Sequence, residues 1–477
     1  MITKSFFIKG IAHSSYLLGG SRTCAIIDPE RSVSRYIDAA KQLNMKITHI
    51  LQTHLHADFI SGHMDLAEIT GARIIAPKSA NCTFDHIGVE NGDMLEIDDL
   101  EIRIVETPGH TPEHVSYIVV DRARGSEPAA LFCGDTLFVG DVGRPDLFPG
   151  LAHQLADQLY SSLHDILLKL PDFCEVYPAH GAGSLCGRAM GAKRSSTIGY
   201  EKKYNPALLI NSKSEFIRSL TTDMPPAPDH FSRCSAINAS GPQTIHYNPP
   251  ICALSPEQFR DLTHSPTTII LDIRSYESFG GQFIPDSYHI DINGNFATFA
   301  GWVLPPDAEI IIVASSFEQA WESRSWLNRV GLDTISGYLD GGIFEWAKKG
   351  YPLEHVRQIS AFELHEAISK VEMISIIDVR SPSEFSSYHI DGAINIPAPD
   401  LRKRYNELHP DWTNVLICST GHRSSLGCSI LKQNGFKNII NVGGGMTAYS
   451  ASGFAPECPL CVTPHGPKFM GITPKTP

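Results

Sequence analysis

Thr53-His54-Leu55-His56-Ala57-Asp58-Phe59 follows directly on the apolar run 47–51. Residues two apart on an extended segment face the same way, so His54, His56 and Asp58 can aim into one pocket. Three more stretches end apolar runs with side chains of the same kind: Thr107-Pro108-Gly109-His110, Cys133-Gly134-Asp135-Thr136 and Tyr177-Pro178-Ala179-His180. All are predicted strand ends, where an α/β sheet places its chemistry. Together they read as a metal site. Two neutral imidazoles and one carboxylate on one face of an ion form the facial triad of non-haem Fe(II) oxygenases, with three positions open. On this reading His54, His110 and Asp135 hold one mononuclear Fe(II). His56, Asp58 and His180 then orient the ligands or a bound water, or serve as alternative ligands. Zinc is the substitute metal, and would want an activated water or a two-metal clamp.

Phe59 bears on that choice. Metallohydrolases of this layout usually read H-x-H-x-D-H and use the last His for a second ion. A phenyl ring cannot ligate, which points to a single metal. The constellation carries this reading, and single histidines do not. The chain has 21 His, and residues such as His49 or His86 are expected to be structural.

A length of 477 residues suggests about three domains. Apolar content of 42% and charged content of 19% describe a globular protein. A net charge of −13 with no basic run argues against nucleic acid or an anionic membrane as partner. Residues 1–20 do not read as a signal peptide, and no apolar run is long enough to span a membrane. Eleven scattered Cys, without framework spacing, fit a reducing, cytoplasmic setting.

Up to about residue 200, short β-rich runs alternate with loops. Strands are predicted at 46–52, 101–106, 115–120, 129–133 and 174–177, and helices at 32–43 and 151–168. Residues 205–238 read as a connector or covering segment, broken most clearly at Met224-Pro225-Pro226-Ala227-Pro228. Beyond about residue 250 the chain repeats itself over roughly 105 residues. Ser255-Pro256-Glu257-Gln258 and Ser360-Ala361-Phe362-Glu363 both read as helix capping boxes. Asp272-Ile273-Arg274-Ser275 pairs with Asp378-Val379-Arg380-Ser381, and Asp340-Gly341-Gly342 with Gly443-Gly444-Gly445. The domains are placed at 1–245, 250–355 and 356–477.

The second copy contains Cys418-Ser419-Thr420-Gly421-His422-Arg423-Ser424 directly after the apolar run 415–417. A strand–loop–helix here can turn backbone N–H groups inward and stabilise an anion on sulfur. Gly421 permits the tight turn, and Arg423 offers a fixed cation to an anionic substrate. The first copy has Ala314 where the nucleophile belongs, followed by Ser315-Ser316-Phe317 without the Gly or the Arg. It lacks the nucleophile and is read as inactive, with a scaffolding or docking role. Cys458-Pro459-Leu460-Cys461 lacks partners for a zinc ribbon and reads as a surface tail, with a redox or accessory role as the alternative.

Two resemblances follow from these residues. T-H-L-H-A-D, P-G-H-T, G-D-T and P-A-H-G are similar to the metallo-β-lactamase fold, an αββα sandwich. The longer run from Gly134 to Leu147, G-D-T-L-F-V-G-D-V-G-R-P-D-L, resembles the persulfide dioxygenase branch. That branch implies mononuclear iron on two His and one Asp. It oxidises a low-molecular-weight thiol persulfide with O₂ to sulfite. Some of its members keep a His where this chain has Phe59.

The loop C-x-x-G-x-R, with His389-Ile390-Asp391-Gly392-Ala393, resembles rhodanese sulfurtransferases; Tyr388 stands where they commonly have Gly. The domain order resembles persulfide dioxygenase–rhodanese fusions of the CstB type: an αββα sandwich, then two rhodanese-like α/β domains. The resemblance implies glutathione or coenzyme A persulfide, O₂ and sulfite as partners, thiosulfate as product and sulfide detoxification as role. A homo-oligomer is expected. Arg144 is open to two readings, contact with an acidic thiol carrier or a structural salt bridge. Cys186, six residues after His180, is a candidate accessory thiol or inert packing. The rival readings are a zinc glyoxalase II-like thioester hydrolase and a sulfur-carrier or sensor protein with a structural metal.

Overall fold

The structure, a computed structural model, describes residues 1–454 apart from 189, 223, 225, 247–249 and 371–373. The Cys458–Cys461 motif lies outside the described residues. Two compact units are present: residues 1–248 with 329–331, and residues 249–328 with those from 332 onward.

The first unit is an αββα sandwich. One six-stranded sheet runs Ile2–Ile8, His13–Gly19, Thr23–Ile27, Lys46–Leu51, Arg73–Pro77 and Ile87–Val89. Its first three strands are antiparallel and the remaining pairings are parallel. The other sheet runs Ser196–Thr197, Glu175–Pro178, Pro128–Gly134, Val115–Asp121, Leu100–Glu106 and Met94–Ile97. Tyr16, Leu18, Ile27 and Leu51 of the first sheet meet Ile102, Ile104, Tyr117 and Phe132 of the second in one buried layer. Val115–Asp121 is buried along its whole length, because both faces of its sheet are covered. Its outer face carries Leu159 from helix Ala152–Ser161, packed with Leu131 and Val176. The outer face of the first sheet carries Tyr36 and Ala39 from Ser34–Gln42 and Leu66 from His63–Thr70.

Helices Ile198–Tyr204, Lys213–Thr221 and His230–Ser240 make up the connector. The last of these is tied to the metal-type loop. Asn238 donates to the carbonyls of His56 and Phe59, both at 2.8 Å, and accepts from the Ser61 N–H.

The second unit contains the same five-stranded parallel sheet twice. The first copy is ordered Ala253–Leu254, Ile335–Leu339, Glu309–Val313, Thr268–Asp272, Tyr288–His289. The second is ordered Arg357–Ile359, Ile439–Val442, Thr413–Ile417, Ile374–Asp378, Ile394–Asn395. Both expected capping boxes form, Ser255 with Gln258 and Ser360 with Glu363, and a third joins Ser381 to Glu384. Each copy buries an Asp–Arg pair at the end of the fourth strand in its sheet order. Arg274 holds Asp272 and the Gln282 carbonyl; Arg380 holds Asp378 and the Tyr388 carbonyl. No described helix is long and apolar enough to cross a membrane.

Candidate metal centre and sulfur-transfer loop

The metal-type residues converge at one end of the sandwich. Leu51 ends its strand and the chain passes through Thr53 to His54–Asp58. Asp135 follows Pro128–Gly134, and His180 follows Glu175–Pro178. Gly134 makes this convergence possible. Its φ is +49°, and a Cβ there would lie 2.4 Å from His114 Nε2 and 2.6 Å from Thr53 Oγ1.

The hydrogen bonds fix the tautomers of two imidazoles. Thr53 Oγ1 donates its only hydrogen to Asp28 Oδ2 at 2.8 Å, so His54 Nδ1, 2.9 Å away, must be the donor to Thr53. The carbonyl of Arg144 can only accept, so His110 Nδ1 donates to it at 2.9 Å. Both rings therefore present an unprotonated Nε2. These atoms face the same carboxylate oxygen, Asp135 Oδ2, at 3.8 Å from His54 and 3.4 Å from His110. Burial, reinforced by the neighbouring imidazoles, holds His54 well below its ordinary pKa. His110 is also depressed by burial, against the opposing pull of Asp135. Neutral imidazoles are what a metal requires.

The donor set fits an ion. The ligand atoms of His54, His110 and Asp135 all lie within 4.8 Å of one another, and all three residues are buried. His110 Nε2 has no protein hydrogen-bond partner, a costly state for a buried atom unless something else coordinates it.

A second cluster stands beside the first. The ligand atoms of His56, Asp58 and His180 also lie within 4.8 Å of one another. Here His180 stands between two carboxylates, while both ring nitrogens of His56 lack a hydrogen-bond partner. His180 Nδ1 is 2.8 Å from Asp135 Oδ1, and its Nε2 is 2.9 Å from Asp58 Oδ2. Burial opposes charge on this ring, but the two carboxylates hold its pKa well above the ordinary value. His56 Nε2 sits 3.2 Å from Asp28 Oδ1. Phe59 is fully buried among the rings of His13, His56 and His180, closest to His13 at 4.2 Å between centroids.

Four contributors escaped the sequence reading. Asp28 orients Thr53 through both its N–H and its hydroxyl. His114 accepts from the Asp135 N–H at 3.0 Å, stacks on His54, and is pushed down to about 3 by burial. His13 faces Phe59, and Asn238 pins the loop. Each is a lone polar residue with no spacing partner. Only Asp28, closing the strand Thr23–Ile27 as Asp135 closes Pro128–Gly134, follows a pattern that a strand-end search would have caught.

Arg144 is buried, 1% exposed, and forms a two-pronged ion pair with Asp146 at 2.6 and 2.7 Å. The salt bridge of its second reading is present, and its carbonyl serves the site by holding His110. Cys186 Sγ lies within 4.8 Å of ligand atoms of Asp135 and His180, and burial pushes its thiol pKa well up.

In the second unit Cys418 caps the strand Thr413–Ile417 as expected. Its Sγ accepts from the Gly421 N–H at 3.1 Å and from Ser424 Oγ at 3.3 Å. Gly421, at φ +103°, opens the helix His422–Gln433. Arg423 was expected to offer a fixed cation to an anionic substrate. Its guanidinium is fixed by Glu384 at 2.7 and 2.8 Å and by Ser419 Oγ at 2.6 Å. The charge is compensated, and Arg423 braces the loop. In the first copy Ala314 occupies the Cys418 position, between strand Glu309–Val313 and helix Phe317–Arg329.

Comparison with known proteins agrees with this architecture. Residues 8–180 match the metallo-beta-lactamase superfamily, and residues 255–349 and 360–452 each match the rhodanese-like domain. The mitochondrial persulfide dioxygenase ETHE1 of Mus musculus is 31% identical over 222 residues, 46% of this chain and 79% of that protein. A hydroxyacylglutathione hydrolase of Rhodospirillum rubrum is 41% identical over 138 residues. That match covers 28% of this chain and spans only half the length of that protein. A metallo-beta-lactamase crystal structure from Staphylococcus aureus covers 71% of this chain and 98% of its own, with TM-score 0.63 and 33% identity. Fold and site thus define a metallo-β-lactamase-superfamily domain followed by two rhodanese-like domains. Within that class, the chain belongs to the ETHE1 persulfide dioxygenase family.

Proposed function

We propose that this chain is a non-haem iron persulfide dioxygenase coupled to a sulfurtransferase. The observation that carries the reading is the pair of imidazoles, His54 and His110, whose bare Nε2 atoms face one oxygen of Asp135. His54, His110 and Asp135 would hold a mononuclear Fe(II), which supplies open positions for O₂ and for a sulfur ligand. Thr53, Asp28 and the Arg144 carbonyl keep the imidazoles in the ligating tautomer. His180 stands between Asp135 and Asp58, whose carboxylates raise its pKa, and so offsets their charge. Phe59, fully buried beside these groups, limits water. The overall change is RSSH + O₂ + H₂O → RSH + SO₃²⁻ + 2H⁺. At the second site Cys418 takes the sulfane sulfur of another persulfide and passes it to sulfite: RSSH + SO₃²⁻ → RSH + S₂O₃²⁻. Glutathione and coenzyme A persulfides are the proposed donors, sulfide detoxification the role, and a cytoplasmic homo-oligomer the working form. The domains are assigned to 1–245, 250–355 and 356–477, the middle one inactive. Cys186 is offered as an accessory thiol beside the metal.

The glyoxalase-like hydrolase reading draws support from the hydroxyacylglutathione hydrolase match. Phe59 weighs against it, because two-metal hydrolysis needs a ligand there. Products separate the readings. His110→Ala should abolish O₂ uptake yet leave Cys418-dependent sulfur transfer. Cys418→Ser should keep O₂ uptake, with sulfite accumulating in place of thiosulfate. Loss of both activities in either folded variant would refute two separable sites.

A further inference from the structure

The repeat without a nucleophile reaches the loop that has one. Tyr276 of the first copy lies over Gly421, where an added Cβ would come within 3.0–3.2 Å of its ring carbons. The same ring meets His422 edge-on at 5.3 Å between centroids. Beneath it sits Asp291, 3% exposed. Asp291 Oδ1 accepts from the Asn293 N–H at 2.9 Å, and Oδ2 accepts from the Tyr276 N–H at 3.1 Å. His422 Nε2 lies 3.5 Å from that same Oδ2. On the other side of the ring, His422 Nδ1 is 2.9 Å from Thr420 Oγ1. Ser425 and Ser429, further along the Cys418 helix, bond His289 of the first copy at 2.9 and 3.0 Å, which fixes the helix against it.

The sequence gives no reason to look here, since Asp291 and His422 stand 131 positions apart (422 − 291) on different copies. With Arg423 committed to Glu384 and Ser419, His422 is the remaining basic side chain of the loop. It is also 31% exposed, open to an arriving molecule.

We propose that Asp291 is a positioning residue for sulfur transfer, and that Asp291, His422 and Thr420 form a relay spanning both repeats that protonates the thiolate leaving the donor. The proposal rests on the sulfurtransferase reading above. In the step, the Cys418 thiolate attacks the terminal sulfur of RSSH. A bond forms between the two sulfurs, the bond within the donor breaks, and its electron pair leaves on RS⁻. The proton of the terminal SH passes through the relay to RS⁻, so RSSH + Cys–S⁻ gives RSH + Cys–S–S⁻. An alkyl thiolate, with a pKa of about 8.5, is a basic leaving group and gains from a proton. Sulfite leaving from thiosulfate is less basic and gains little.

That contrast gives the test. Sulfur loading of Cys418 is timed in the full-length protein with glutathione persulfide and with thiosulfate, cyanide serving as acceptor. Asp291→Asn and His422→Gln should each lower the persulfide rate, relative to the thiosulfate rate, by about tenfold or more. Thr420→Val, at a half-buried position, should do the same if Asp291→Asn fails to fold, and Thr420→Ser should restore the ratio. A ratio unchanged within about twofold, whether both rates fall or neither does, would overturn the relay. Wild-type protein inactive with both donors would sink the sulfurtransferase reading itself and the relay with it.

Discussion

At the residue scale, the account turns on which atoms carry hydrogen. Asp28 contacts no candidate triad residue directly, yet its two oxygens hold Thr53 at 2.8 Å twice, and Thr53 sets the His54 tautomer. Removing such an orienting partner typically costs ~10–100-fold in metal affinity. Asp28→Ala should therefore weaken iron binding by about that factor in a chelator competition, with the fold intact by circular dichroism. Unchanged affinity would mean that the tautomer is fixed by other means. Phe59 is the complementary case. The His56, Asp58 and His180 cluster surrounds it and lacks only a ligand at that position. Phe59→His is expected to raise the metal content of reconstituted protein from one equivalent toward two, measured by elemental analysis. A content that stays at one would show that the pairing of His180 with Asp58 and Asp135 excludes a second ion by itself. His114 was not legible from sequence, because it acts through a contact with a residue more than twenty positions away; Asp28 carried only its strand-end position as a signal. The H-x-H-x-D cluster was legible because strand alternation brings its members together locally.

At the element scale, the Cys418 loop is held by a partner from another helix. Glu384 opens Pro382–Ser387 through its capping box with Ser381, and the same carboxylate takes both arms of Arg423. Burial alone would raise the Glu384 pKa, but the Arg423 guanidinium and Ser381 hold it well below the usual carboxylate range. A depressed folded-state pKa stabilises the protein above the unfolded value of about 4.3, and that contribution is lost as pH falls toward the folded value. Glu384→Ala leaves Arg423 without its counter-ion and should cost about 3 kcal/mol near neutral pH. In urea unfolding the gap between wild type and variant should narrow between pH 6 and pH 3. A gap that held constant across that range would assign the loss to packing. The element-level reading from sequence succeeded where the signal is local, as in the Ser255 and Ser360 caps and the buried strand 415–417. It did not foresee the pairing of Arg423 with Glu384, because the counter-charge lies 39 positions upstream. Arg144, whose partner is two residues away, was left undecided because a turn brings them together, not a periodic element.

At the scale of the whole molecule, repetition was the most readable feature. Paired capping boxes, paired Asp–x–Arg strand ends and paired glycine turns gave two copies, and the identical strand orders bear this out. The readable difference between them was Ala314 against Cys418. Less readable was the contribution of the first copy to the site of the second, since Tyr276 and Asp291 carry no motif and act only through tertiary contact. Under the proposed function, carrying oxidation and sulfur transfer on one chain would raise the effective concentration of sulfite at Cys418, which free domains would not do. The most direct test of that account is O₂ uptake by anaerobically iron-loaded full-length protein given glutathione persulfide, with sulfite and thiosulfate quantified. The account predicts uptake that requires both iron and persulfide, with one O₂ consumed per thiosulfate formed. Protein holding one iron per chain that consumes no O₂ with glutathione or coenzyme A persulfide would contradict it.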